Sequence, residues 1–131
     1  MVVRSTRGAD VYRRTEAESR SPMELVVMLY DGAIRFMGEA RSAIARNDVR
    51  ARTEATRRAL DIVAELQNSL NIEEGGDIAL ELDRLYVYIS TKLLDVTRGD
   101  AAAADEIHKL LCTLRDGFSQ AAAPGAPAAS R

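Results

Sequence analysis

Ser21-Pro22-Met23-Glu24-Leu25-Val26-Val27-Met28-Leu29-Tyr30-Asp31-Gly32-Ala33-Ile34 starts a helix cleanly and then makes it unusually apolar. Ser21 is a good N-cap, because its hydroxyl accepts from a free amide of the first turn. Pro22 suits the first helical position, where a missing N–H costs nothing. Glu24, three residues after Ser21, completes a capping box. From Leu25 to Tyr30 every residue is then apolar or aromatic. A surface helix needs one apolar stripe only. Either other helices wrap this segment fully, or part of it waits for a partner.

Three further helical segments follow. Residues 22–46 make the first helix, and Asn47-Asp48 breaks it, with Asp48 placed to cap the next. Residues 49–70 repeat Ala55, Ala59, Ile62 and Leu66 at helical spacing. Glu74-Gly75-Gly76-Asp77 is the strongest interior breaker. Residues 77–97 then carry Ile78, Leu82, Leu85, Ile89, Leu93 and Val96 at steps of three and four, and Gly99 ends that helix. Asp100 caps a fourth helix with Ala104, Ile107, Leu111, Leu114 and Phe118 on one seam, and Gly117 weakens it near its end. No segment reads as a strand, and the connections are short. The expected fold is all-α, an antiparallel up-down-up-down four-helix bundle over residues 21–120. Residues 1–20 are expected to form an irregular leader, either disordered or folded back on the bundle. Residues 121–131, rich in Ala, Pro, Gly and Ser, are expected to be a disordered tail.

Composition excludes several classes. The 131 residues suit one domain with a real core. Net charge is -2, whereas a nucleic-acid-binding domain is usually clearly basic. Arginines cluster at Arg4, Arg7, Arg13, Arg14 and Arg20, and at Arg50, Arg52, Arg57 and Arg58, with acids interspersed; this reads as a solvated face. Cys112 stands alone, so no internal disulfide forms, as fits a reducing cytoplasm. Met1 to Asp10 lacks the apolar core of a secretory signal, and no run approaches the ~18 apolar residues of a membrane span.

Catalytic constellations are missing from the pattern. A di-iron bundle needs two Glu-x-x-His units, and this chain has only His108, preceded by Asp105. No metal or cofactor is therefore expected. Histidine phosphotransfer bundles resemble His-x-Leu-Lys-Gly, but Leu111 and Cys112 occupy the last two places here. His108 reads as a surface residue beside the core residue Ile107, with a phosphotransfer bundle kept as the alternative function. Cys112 lacks a second histidine for a dyad, and Gly75-Gly76 is a helix connection rather than a phosphate loop. An enzyme is not expected.

Binding chemistry remains. Tyr86 and Tyr88 differ by two positions and so point about 200° apart on a helix. They cannot both face one core seam, so one lies nearer the surface, where an apolar ring with a wet hydroxyl is at home. Tyr12 is a lone aromatic in a polar leader.

These features together resemble the FliS family of bacterial flagellar export chaperones. Tyr12-Arg13-Arg14-Thr15 followed by Ser21-Pro22-x-x-Leu25 is similar to the family's N-terminal pattern. Leu29-Tyr30-Asp31-Gly32-Ala33 is similar to its most characteristic stretch. Ser69-Leu70-Asn71 through Glu74-Gly75-Gly76, then Ile78-Ala79, resembles its middle loop, and Leu82-Asp83-x-Leu85-Tyr86-x-Tyr88 its third-helix signature. Phe118 stands where members often carry tryptophan.

The resemblance implies a cytoplasmic, non-enzymatic chaperone. It would bind the disordered C-terminal segment of flagellin, prevent premature polymerisation, and deliver it to FlhA of the flagellar type III export gate when loaded. The leader with Tyr12 would cover an apolar groove until flagellin displaces it. Tyr12, Leu29, Tyr30, Ile34, Tyr86 and Tyr88 are the residues expected to build or line that groove. No nucleic acid and no membrane insertion are expected, and weak self-association is open. A client-free structural bundle is the remaining alternative.

Overall fold

The computed structural model describes residues 21–122, and these form four α-helices with no strand among them. They are α1 (Pro22–Ala45), α2 (Val49–Asn68), α3 (Ile72–Thr97) and α4 (Ala101–Ala122). The leader, with Tyr12, lies outside the described residues, as does the tail from residue 123 onward.

Each helix begins where its capping chemistry directs. Ser21 Oγ accepts from the Glu24 amide at 3.1 Å, and the Glu24 carboxylate accepts from the Ser21 amide at 2.9 Å. That reciprocal box satisfies two otherwise free donors. Asp48 and Asp100 cap α2 and α4 through the amides of Ala51 and Ala103, each at 3.0 Å.

Two sequence expectations need correction. The third helix starts at Ile72, not Asp77, because Asn71 caps it by accepting from the Glu74 amide at 3.1 Å. The breaker is real but local. Gly76 leaves helical geometry at φ 56°, ψ -132°, and the helix resumes at once. Its neighbour Gly75 must stay bare, since a Cβ there would lie 2.7 Å from that of Ala79. The fourth helix runs on through Ala121 and Ala122, two residues expected in the tail, because alanine is the best helix former.

Helix α1 packs on α2 and α4, and α3 closes the ring between α2 and α4. Polar side chains tie three of the four sides. Arg41 and Arg115 of α1 and α4 meet Asp105 and Asp31 across that interface, each at 2.8 Å. The Arg52 guanidinium donates to the Thr97 carbonyl at 2.9 Å, and Gln67 donates to Asp83 at 2.8 Å, joining α2 to α3. Tyr88 donates to Glu106, and Lys92 stands 3.6 Å from the same carboxylate, joining α3 to α4.

The core is graded along the bundle axis. At the end where α1 and α3 finish, small residues dominate: Ala40, Ala43, Ala55, Ala59, Ala103 and Ala104 are buried beside Val96. Small side chains let helix axes approach closely and leave no gap. Toward the other end the buried residues grow to Leu66, Ile89, Leu111, Tyr30 and Tyr86.

Candidate functional site

The aromatic layer marks where the sealed core stops. Tyr30 and Tyr86 are essentially inaccessible, and their hydroxyls share a hydrogen bond of 2.5 Å. The Tyr30 ring stacks on Phe118 of α4, with centroids 5.3 Å apart and planes 25° from parallel. Burial raises the pKa of both phenols above their ordinary value. For Tyr30 the bond to Tyr86 pushes further in the same direction. The pair is a structural latch, not an acid or base.

Beyond that layer the bundle opens. The first turns of α1, the end of α2, the start of α3 and the end of α4 all lie at this end. Met23, Leu25, Val26, Val27 and Leu29 of α1 are only half-buried, and Met28 is exposed. Leu70, Leu82, Leu114 and Phe118 are half-buried beside them. Ile72 and Ile78 stand out from the start of α3, Ile78 at 73% exposure. The sequence seam assigned Ile78 to the core. The structure corrects this: Ala79, only 4% exposed, takes the inward place at that turn, and Ile78 beside it faces outward. Thus Leu25, Val27 and Met28 fall on the open side of the question raised by their composition, Val26 and Leu29 pack partly on the core, and Tyr30 lies on the closed side.

The expected groove residues therefore divide. Tyr30 and Tyr86 are brought together and buried. Leu29 and Ile34 are half-buried against the core on opposite flanks of α1. Leu29 shares the α2-facing flank with Phe36, seven positions on, whose ring has the Arg58 guanidinium 5.8 Å from its centroid. Ile34 shares the flank of Asp31 and Arg41, the residues paired to α4. Tyr88, 42% exposed, stands outside on the α4 side, as the angular argument required of one of the two tyrosines. Its hydrogen bond to Glu106 holds its phenol above the usual range. Phe118 was not among the expected groove residues, although it lies on the α4 seam and directly against Tyr30.

His108 is half-buried with Nδ1 4.0 Å from the Cys112 sulfur. Desolvation, aided by Arg41, lowers its pKa, so the ring is biased toward the neutral form. No group of three or more metal-ligating side chains occurs among the described residues, and no described helix is long and apolar enough to cross a membrane.

Residues 5–125 match the family described as Flagellar protein FliS. The chain belongs to the FliS family. A flagellar secretion chaperone FliS of Salmonella typhimurium is 35% identical over 119 residues, covering 86% of this chain and 88% of its own length. The FliSB chaperone of Pseudomonas aeruginosa is 29% identical over 104 residues, covering 79% and 82%. A FliS of Campylobacter jejuni is 38% identical over 77 residues, covering 59% and 60%. FliS proteins are flagellar secretion chaperones, a binding family rather than an enzyme family. Two of the FliS-like stretches, Leu29–Ala33 and Leu82–Tyr88, face each other across the bundle at the aromatic layer and its open side.

Proposed function

We propose that this chain is a cytoplasmic chaperone for flagellin. It binds the disordered C-terminal segment, keeps flagellin from polymerising, and hands it to FlhA of the type III export gate. The observation that supports this reading is the unsealed apolar end of the bundle, rimmed by Leu25, Val26, Leu29, Leu82, Leu114 and Phe118. A client that becomes ordered on binding must bury a large apolar area to offset its lost entropy. An open end bordered by four helices offers such an area to extended and helical pieces alike.

The leader, residues 1–20, joins the bundle through Ser21 at this same end. In this reading it shields the apolar rim, with Tyr12 as its aromatic contact, until a client arrives. Shielding limits aggregation through an otherwise exposed patch.

Calorimetric titration of a flagellin C-terminal peptide into the full chain tests the proposal. We expect micromolar or tighter binding, on the order of -8 kcal/mol, with a negative heat-capacity change from apolar burial. A flat titration against folded protein would remove the reading. Deleting residues 1–20 should leave the bundle folded, raise the fluorescence of an apolar dye and tighten the peptide. Unchanged fluorescence and affinity would show that the leader does not shield the site.

A further inference from the structure

The outer face of α3 carries an apolar stripe that the open end does not account for. Leu80, Val87 and Leu94 recur every seven residues, so they stack along one line of the helix. Tyr86, Ile89, Leu93 and Val96 face the core from the other side. The three outer residues are 40%, 50% and 52% exposed, and together they span two helical repeats, roughly 21 Å. Between them Thr91 turns its hydroxyl back to the Val87 carbonyl at 2.9 Å, which leaves its methyl group for the surface. A surface helix ordinarily keeps this side polar.

Charge around the stripe selects what covers it. Helix α3 holds six carboxylates and two cations, a net of -4 in a chain whose total is -2. Five of the six precede Arg84; Asp83 accepts from Gln67 of α2 and Glu81 stands beside Arg84, which leaves Glu73, Glu74 and Asp77 as the acidic start of the helix. The cations near the stripe are already engaged within the chain: Arg84 with Glu81 at 3.8 Å, Lys92 with Glu106 at 3.6 Å, and Arg98 with Asp95 at 3.3 Å. A second copy of this face therefore brings no spare cation to the acidic half. The leader is rich in arginine but has no apolar stripe at helical spacing.

We propose that the outer face of α3 docks a cationic amphipathic helix of a partner protein, at a surface separate from the client-binding end. Its apolar stripe covers Leu80, Val87 and Leu94. Its Lys and Arg residues lie over the acidic half of α3. Cations are most stable at a helix C-terminus, so the partner runs antiparallel to α3 with its basic end over Asp77 and the start of the helix. The surface leaves the chaperone able to hold a client and a second protein together, and it stands whether or not the client is flagellin.

The probe is a fluorescein-labelled synthetic helix of three leucine heptads with Arg in its C-terminal half and Glu in its N-terminal half. A control peptide carries Gln in place of every Arg. Both are titrated into the full chain by anisotropy. The first peptide should bind at least ~10-fold more tightly than the second, and raising salt from about 0.05 to about 0.5 M should shrink the difference. Val87→Glu and Leu94→Gln, both at exposed positions, should each weaken the first peptide by ~10-fold or more while circular dichroism shows an unchanged bundle. Val87→Glu should still bind the flagellin peptide.

Equal binding of the two peptides, or binding indifferent to both substitutions, overturns the proposal. So does loss of the flagellin peptide in folded Val87→Glu, which would place the client itself on α3. Sedimentation showing a dimer that Val87→Glu dissociates would make a second copy the occupant. Probe binding that appears only after residues 1–20 are deleted would make the leader the occupant. Either result also overturns it.

Discussion

The phenolic oxygens of Tyr30 and Tyr86 stand 2.5 Å apart although 56 positions separate the residues in sequence. The bond joins α1 to α3, which are not neighbours in the ring of helices, across the middle of the bundle. Removing one hydroxyl leaves the other buried without its partner. Tyr30→Phe and Tyr86→Phe should each cost ~1–3 kcal/mol, while the double variant should cost clearly less than the two together. Urea denaturation of all four species checks this. Additive losses would mean that the two hydroxyls do not act as a unit.

The same pair predicts the response to alkali. Folding raises both phenol pKa values, chiefly by desolvation. The native state thus keeps protons that the unfolded chain gives up above its ordinary value of 10.0. This contribution to stability is fully present below that pH and is lost as pH rises beyond it. Absorbance near the phenolate band should show Tyr30 and Tyr86 ionising together with the loss of helical circular dichroism. Phenolate signal from both in a still-folded protein would contradict the burial argument.

Much of the bundle was legible because local chemistry and packing agree. Ser21, Pro22 and Glu24 announced α1, Asp48 and Asp100 announced α2 and α4, and the three-and-four spacing located Ile89, Leu93, Ile107 and Leu111 in the core. The start of α3 was misread because two glycines outweighed Asn71 in the pattern, whereas the chain absorbs the interruption at Gly76 alone. Ile78 shows the limit of periodicity. Steps of three and four fit Ile78, Leu82, Leu85 as well as Ala79, Leu82, Tyr86, and only packing shows that the inward seam takes the second phase, with Ala79 buried and Ile78 outside. For the same reason the six candidate groove residues could not be divided in advance. Tyr30 and its neighbour Leu29 point about 100° apart around α1, so one enters the core and the other lies on the α2-facing flank, and only the placement of the neighbouring helices decides which. The stripe of Leu80, Val87 and Leu94 was present as a heptad, but it was hidden behind the stronger inward seam.

Acid should weaken the bundle partly through His108. Its folded pKa lies below the ordinary value of 6.5, first by desolvation and then by Arg41, with Asp105 opposing. The unfolded chain therefore binds more protons in the interval below 6.5, and stability falls as pH drops through it. Above that pH the contribution is fully present. His108→Gln should flatten the decline in melting temperature between about pH 7 and pH 5. An unchanged slope would show that the carboxylate ion pairs alone set the acid response.

Two glycines should respond to alanine in opposite directions. Gly99 turns the chain from α3 into α4 at φ 97°, and a Cβ there would lie 3.3 Å from the Arg52 guanidinium carbon. That guanidinium holds the last-turn carbonyl of Thr97, so it is not free to swing aside without loss. Gly99→Ala should therefore cost ~1–2 kcal/mol from backbone strain alone, and more if the Arg52 bond breaks. Gly117 lies inside α4 on its exposed side, and a Cβ there meets nothing within 4 Å. Gly117→Ala removes flexibility from the unfolded chain at a site already helical, so it should stabilise by ~0.5–1 kcal/mol. Thermal melts of the two variants give the signs directly. A stabilising Gly99→Ala would mean that the α3–α4 corner relaxes to another turn, while a destabilising Gly117→Ala would mean that the end of α4 needs glycine for a contact made outside residues 21–122.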